Sequence, residues 1–124
     1  MTLAETVTGT LDSTLAALAD PTRRGVIDLL RREPRRAGDL ADELGMSRPA
    51  MSRHLKVLRT SGLIEPANDD ADLRARVYRL RPAPFSGLRT WLDEVEQFWS
   101  GQLASFKVHA EARAAGRTRG RRKP

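Results

Sequence analysis

Apolar residues recur at three- and four-residue steps over most of this chain and alternate only in short places, a pattern of helices with a small β element. Leu11, Leu15 and Leu18 form the first helical stripe, with Thr10 or Asp12 available as a cap, while residues 1–9 show no period. Asp20-Pro21 marks a boundary, because Asp is a favoured N-cap and Pro fits the first helical position. The next helix, about Pro21 to Glu33, buries Val26, Ile27 and Leu30, exposes Arg23, Arg24, Arg31 and Arg32, and is ended by Pro34.

From Ala37 to Gly62 the pattern predicts two short helices around a tight turn. Leu40, Ala41 and Leu44 share one side of the first. Gly45 stands where a left-handed C-terminal residue is wanted, and Ser47 where the next helix needs an N-cap. Arg48 and Pro49 fall in the first turn of that second helix, residues 48–60. Met51, Leu55 and Leu58 point inward, and an advance of about 100° per residue carries Pro49, Ser52, Arg53 and Lys56 to the outer side. Arg48, Arg53, Lys56 and Arg59 are cations in a stretch without an acid. A short basic helix after a glycine turn fits the major groove, where Arg and Ser side chains reach base edges and phosphates.

Leu63-Ile64-Glu65 reads as a short strand stopped by Pro66, and Arg74 to Arg81 as a second, with Tyr78 and Leu80 on one face. The polar run Asn68 to Asp72 forms the tip between them, which makes the pair a wing. A long helix follows from Phe85 to about Glu111, striped by Leu88, Trp91, Leu92, Val95, Phe98, Trp99, Leu103 and Phe106. A small winged domain cannot bury so long a stripe alone. The expected fold is therefore mostly α with a small β-hairpin wing, a winged helix-turn-helix in the order α-α-α-α-β-β-α. A twofold dimer through the first and last helices would cover Leu11, Leu15, Leu18, Trp91, Val95, Phe98 and Trp99.

Charge and composition narrow the function. The chain has 124 residues, a net charge of +6 and no cysteine, which removes disulfides and thiolate metal sites. Residues 111–124 carry +5 of that charge, so the high pI belongs mainly to the tail. The expected organisation is a disordered 1–10, a DNA-binding and dimerisation domain over 11–110, and a basic disordered tail over 111–124. With no signal peptide or apolar span visible, the expected location is the cytoplasm. No Ser/His/Asp arrangement, phosphate-cradling glycine loop or paired-His motif is present, so an enzyme is not expected.

Several runs resemble one known family: Leu18-Ala19-Asp20-Pro21-Thr22-Arg23-Arg24, Ala41 to Gly45, and Ser47-Arg48-Pro49-Ala50-Met51-Ser52-Arg53-His54-Leu55-Lys56-Val57-Leu58 with Ser61-Gly62-Leu63-Ile64. On these residues the chain is similar to the ArsR/SmtB-type winged-helix regulators of bacteria. Val77-Tyr78-Arg79-Leu80 and Phe98-Trp99 look like one branch of it. The resemblance covers roughly residues 11–108. It implies a homodimeric transcriptional regulator, usually a repressor, that reads an inverted-repeat operator in double-stranded DNA with the Ser47–Lys56 helix. The family's namesakes sense metals through a Cys-x-Cys-type motif, or through His and Asp on the last helix. Here the first of these positions reads Ala37-Gly38-Asp39-Leu40-Ala41-Asp42, and the last helix has no His before His109, so a branch without that metal site is expected.

The candidate DNA contacts are Ser47, Arg48, Pro49, Ser52, Arg53, His54 and Lys56, with Arg74 and Arg76 in the wing. Arg48 and Arg53 suit guanine or phosphate equally. Ser47 has capping as its alternative role, Pro49 the helix start, and His54 a structural place beside the core stripe. Acids at the wing tip (Asp69, Asp70 and Asp72) would repel phosphate. No cofactor, metal or membrane partner is expected, and the sequence names no effector. Two other readings use the same scaffold: a protein-interaction module whose basic helix is merely solvated, and a repressor gated by a small molecule lodged among Trp91, Phe98 and Trp99.

Overall fold

In the computed structural model, residues 3–68, 72 and 75–121 are described, with side chains over 10–68, 72 and 75–116. The elements run α1 (Leu3–Leu18), α2 (Pro21–Leu30), β1 (Arg35–Arg36), α3 (Ala37–Glu43), α4 (Arg48–Thr60), β2 (Ile64–Pro66), β3 (Val77–Leu80) and α5 (Pro82–Arg121). The chain divides into two units, Met1–Leu88 and Arg89–Pro124.

The first unit is a winged helix-turn-helix around one core. Val26 and Leu30 of α2, Leu40 and Ala41 of α3, and Met51, Leu55 and Leu58 of α4 meet Ala17, Leu63, Ile64 and Tyr78 there. Leu18, Ile27, Leu44, Leu80 and Phe85 pack against this cluster from its edge.

Two glycines close the helices of the hairpin in the same way. Gly45 (φ 62°) and Gly62 (φ 78°) are the described residues with positive φ. After α3, the Gly45 N–H donates to the Asp42 carbonyl at 3.3 Å and the Met46 N–H to the Ala41 carbonyl at 2.9 Å. After α4, the Gly62 N–H donates to the Arg59 carbonyl at 3.0 Å and the Leu63 N–H to the Leu58 carbonyl at 2.9 Å. This paired pattern satisfies carbonyls that a helix end leaves without partners. It also turns the chain sharply enough to bring α4 back across α3 and then to start the sheet.

That sheet is antiparallel with strand order β1-β3-β2. β1 is an addition to the expected wing: Arg35 pairs with Tyr78 and Arg36 with Val77. Two consecutive arginines give no alternation signal, so β1 exists because β3 offers an open edge. Pro66 lies within β2, opposite Tyr78, rather than stopping it. β2 is an edge strand, so the N–H that proline lacks is not needed on its outer side.

Other boundaries move for equally local reasons. α2 ends at Leu30, short of Glu33, because Pro34 disfavours helix at the residue before it and the chain tightens after Arg31, the Arg32 N–H donating to the Leu29 carbonyl at 3.2 Å. α1 begins at Leu3, before the apolar stripe. α5 continues past Glu111 to Arg121, where an unstructured tail was expected. Ala and Arg are strong helix formers, and the final stretch lacks proline until Pro124.

Gly45 has nothing within 4 Å of the position a Cβ would occupy, whereas at Gly62 that position lies 3.3 Å from an Arg81 guanidinium nitrogen. Gly45→Ala should therefore cost only the left-handed backbone strain, about 1 kcal/mol, and Gly62→Ala at least as much. Leu58→Ala, which empties a fully buried site, should cost roughly 2–5 kcal/mol. Urea midpoints that fall from Gly45→Ala through Gly62→Ala to Leu58→Ala check the assignment.

Candidate nucleic-acid interface

The interface is built on α4, whose two sides have opposite environments. Met51, Leu55 and Leu58 are 1%, 4% and 0% exposed. Ser47, Arg48, Pro49, Ser52, Arg53 and Lys56 are all exposed. Ser47 caps the helix, its Oγ accepting the Ala50 N–H at 3.3 Å, and Pro49 occupies the first turn. Both therefore have a structural role whatever else they touch.

The side chains of Arg48, Arg53, Lys56 and Arg59 form no ion pair or hydrogen bond among the described residues, unlike several of the chain's other arginines. Arg31 lies 3.6 Å from Asp28, Arg35 lies 3.7 Å from Glu33 and 3.6 Å from Glu43, and Glu65 takes both Arg79 and Arg81 at 2.9 and 3.5 Å. Four uncompensated cations along one exposed helix give a local positive field, the electrostatic footprint of a nucleic-acid contact.

His54 takes the structural place that was the alternative to its role as a DNA contact. Its half-buried ring sits on the flank facing α2, where Nδ1 lies 3.4 Å from Arg23 Nη1 and 4.0 Å from Asp20 Oδ1. Arg23, expected as a solvated cation, is half-buried and joins three elements. Its Nε donates to the Ala17 carbonyl at 2.7 Å, Nη2 to the Ala16 carbonyl at 3.2 Å, and Nη1 toward His54. Arg24 Nη1 donates to the Leu18 carbonyl at 2.8 Å. These two side chains thus cap the C-terminal carbonyls of α1. The readable signal was cations just beyond a predicted helix end.

Asp20 completes the junction as the N-cap of α2, its Oδ1 accepting the Arg23 N–H at 3.1 Å. That backbone hydrogen bond is the main cause that holds its carboxyl below the usual range. The nearby His54 ring works in the same direction, and partial desolvation works against both.

On the opposite flank of α4, the Arg48 guanidinium lies along the start of α3, 3.6 Å from where a Cβ on Gly38 would stand. The wing beyond it is pinned by Asn68, whose Oδ1 accepts the Val77 N–H at 3.1 Å and whose Nδ2 donates to the Ala75 carbonyl at 3.2 Å. Arg76 is half-buried, its Nε without a partner among the described residues. Arg74, Asp69 and Asp70 lie outside the described residues.

Known proteins share this arrangement. Residues 20–65 match the family described as bacterial regulatory protein, arsR family. The HTH-type transcriptional regulator Rv2034 of Mycobacterium tuberculosis is 43% identical over 95 residues, 77% of this chain and 83% of that protein. The chain belongs to the ArsR family. Transcriptional repressor SdpR of Bacillus subtilis is 37% identical over 54 residues, 44% of this chain and 60% of its own. Among solved structures, an ArsR-like transcriptional regulator from Rhodococcus sp. RHA1 superposes with a TM-score of 0.72 at 31% identity, over 90% of this chain and 98% of that one. This ArsR-family protein is a transcriptional regulator with a winged helix-turn-helix fold that binds DNA.

The ArsR-family chain's expected dimer residues fall into two groups. On α1 the buried side is Thr14, whose hydroxyl donates to the Thr10 carbonyl at 2.9 Å, together with Ala17. Leu18 packs on the core rather than outward, Leu11 is half-buried, and Leu15 is 40% exposed. In the second unit every described side chain is exposed, including Trp91, Val95, Phe98 and Trp99. Among the described residues no group of three His, Cys, Asp or Glu is placed to hold a metal, and no helix is long and apolar enough to cross a membrane.

The Asp20 junction predicts an acid-side effect. A carboxyl whose folded-state pKa is depressed contributes stability above its unfolded pKa and loses it as pH falls through the folded value. Asp20→Asn should therefore flatten the acid limb of the urea-stability profile below about pH 4, while leaving the limb above neutrality parallel to wild type.

Proposed function

We propose that this ArsR-family regulator is a sequence-specific repressor that binds an inverted-repeat operator as a homodimer in the cytoplasm, acting by occupancy and without chemistry on the DNA. The observation that carries this reading is the unpaired cationic face of α4, held outward by a fully buried inner face. Arg53 and Arg48 serve as base or phosphate readers, Ser52 and Ser47 as shorter polar contacts, and Lys56 as a phosphate contact. Pro49 offers its ring to a thymine methyl. His54 acts from behind, by keeping α4 against α2. Repression is supported by the name of the relative SdpR, a transcriptional repressor.

Dimerisation is supported by the second unit. Phe98, Trp99, Leu103 and Phe106 are 63%, 59%, 61% and 72% exposed, a continuous apolar stripe of a kind that marks an interaction surface. A second copy of the same stripe covers it by twofold symmetry and presents two α4 helices to successive major grooves about 34 Å apart. The functional domain is then 11–110, and the cations of 111–124 add salt-sensitive, nonspecific affinity.

Fluorescence anisotropy with duplex from upstream of the protein's own gene, against scrambled duplex over a salt series, tests the reader. Wild type should prefer its own DNA by ~10³ or more. Arg53→Ala should lose most of that preference, whereas a chain ending at Ala112 should keep it with a shallower salt slope. Equal binding of both duplexes, abolished by the truncation, would leave the tail as the DNA-binding element and sink the proposal. Separately, Phe98→Glu with Trp99→Glu should sediment as a monomer and bind the operator at least tenfold more weakly, about 1.4 kcal/mol per binding step.

A further inference from the structure

A cavity of about 280 Å³ opens on the wing-side flank of α4, walled by the start of α3 and by β3. Its floor is apolar: Ala37, Gly38, Met51, Leu55 and the ring of Tyr78. Its rim is cationic, formed by Arg48, Arg53, Lys56 and Arg59 with Ser52, and no carboxylate lines it among the described residues. Tyr78 is 5% exposed, and its phenol hydroxyl, which bonds no described residue, is not among the buried unpartnered atoms and so reaches solvent, where it is free to donate.

These features describe one ligand chemistry. The volume lies just under the ~300–1,000 Å³ of small-molecule sites. An apolar floor is of little use to a bare phosphate, which needs only the rim. A neutral hydrocarbon would leave both the rim and the phenol unused. The geometry points to a small amphipathic anion, an aryl or short branched alkyl carboxylate, whose apolar body rests on Met51, Leu55 and Tyr78. Its carboxylate meets the rim cations, and the Tyr78 hydroxyl donates to it. Because Arg48, Arg53 and Lys56 belong to the proposed reading face, the occupied chain releases DNA: ligand and duplex compete for the same positive charge. Release rests on the reading of α4 given above, whereas ligand binding does not.

The probe is 1-naphthoate, titrated into the full-length protein by calorimetry without DNA, with acetate and 1-naphthylmethanol as controls for charge alone and apolar body alone. Operator anisotropy is then measured at saturating naphthoate and matched ionic strength. Wild type should bind naphthoate at least tenfold more tightly than either control, and bound naphthoate should raise the operator Kd about tenfold or more. Tyr78→Phe, which keeps the ring but not the donor, should weaken naphthoate by about tenfold. Gly38→Leu, which places a side chain over the floor, should abolish its binding. Tyr78→Phe should hold operator Kd within about threefold of wild type. Gly38→Leu, which also crowds Arg48, is read by naphthoate binding alone, and thermal melts report whether each is folded. Naphthoate binding that matches acetate, or that survives unchanged in both variants, would place the ligand elsewhere and overturn the site. If naphthoate binds and is lost in Gly38→Leu but no duplex is bound by wild type, the site stands and the reading of α4 fails. If the duplex binds normally and naphthoate leaves its Kd unchanged, the coupling is overturned.

Discussion

The structure depends on the one-sided burial of a thirteen-residue helix. Met51, Leu55 and Leu58 take up the inner side of α4 so fully that its rotation about its own axis is settled by packing alone. Turning the helix by one residue would bring Lys56 or Ser52 toward an apolar core, and burying an unpaired ammonium is far costlier than any surface contact could offset. The orientation of the outer face therefore follows from the hydrophobic effect and needs no contact on the outer face itself. That is what allows Arg48, Arg53, Lys56 and Arg59 to remain without partners among the described residues.

A second constraint acts at the junction behind α4. Arg23 sends three donors in different directions, two to carbonyls that end α1 and one to a ring on α4, while its own backbone N–H is held by Asp20. Guanidinium is planar and rigid, so these directions are linked. A lysine here would offer its donors from one compact ammonium on a flexible stem, without the fixed fork that ties these directions together. The end of the first helix, the start of the second and the flank of the fourth are thereby referred to a single group.

Much of this was legible in the residues. The helix-turn-helix was visible because each signal has a local cause: a 3.6-residue period in α4, a left-handed glycine at 45, and a serine cap at 47. Two features were not visible. β1 has no period of its own and forms only because β3, distant in the chain, leaves an edge open. The roles of Arg23 and His54 depend on where α1 ends relative to α4, a tertiary fact, although cations after a helix terminus hinted at the first. In the basic C-terminal stretch charge and glycines point to disorder, while alanines and arginines, both strong helix formers, accompany the run of α5 to Arg121. On α1 the pattern did not show that Thr14, its hydroxyl satisfied on the preceding turn, is buried in the chain's own core, while Leu15, expected to face a partner, stays exposed in the single chain.

The separation between the inner and outer sides of α4 bears on how such a protein can change over generations. Side chains at 52, 53 and 56 hold nothing in place within the fold, and surface replacements of that kind usually alter stability by less than ~0.5 kcal/mol. Inner positions have no such latitude. Mutational drift is consequently channelled to the residues that face outward, and duplicated copies of this gene could acquire new target preferences while inheriting the same scaffold unchanged.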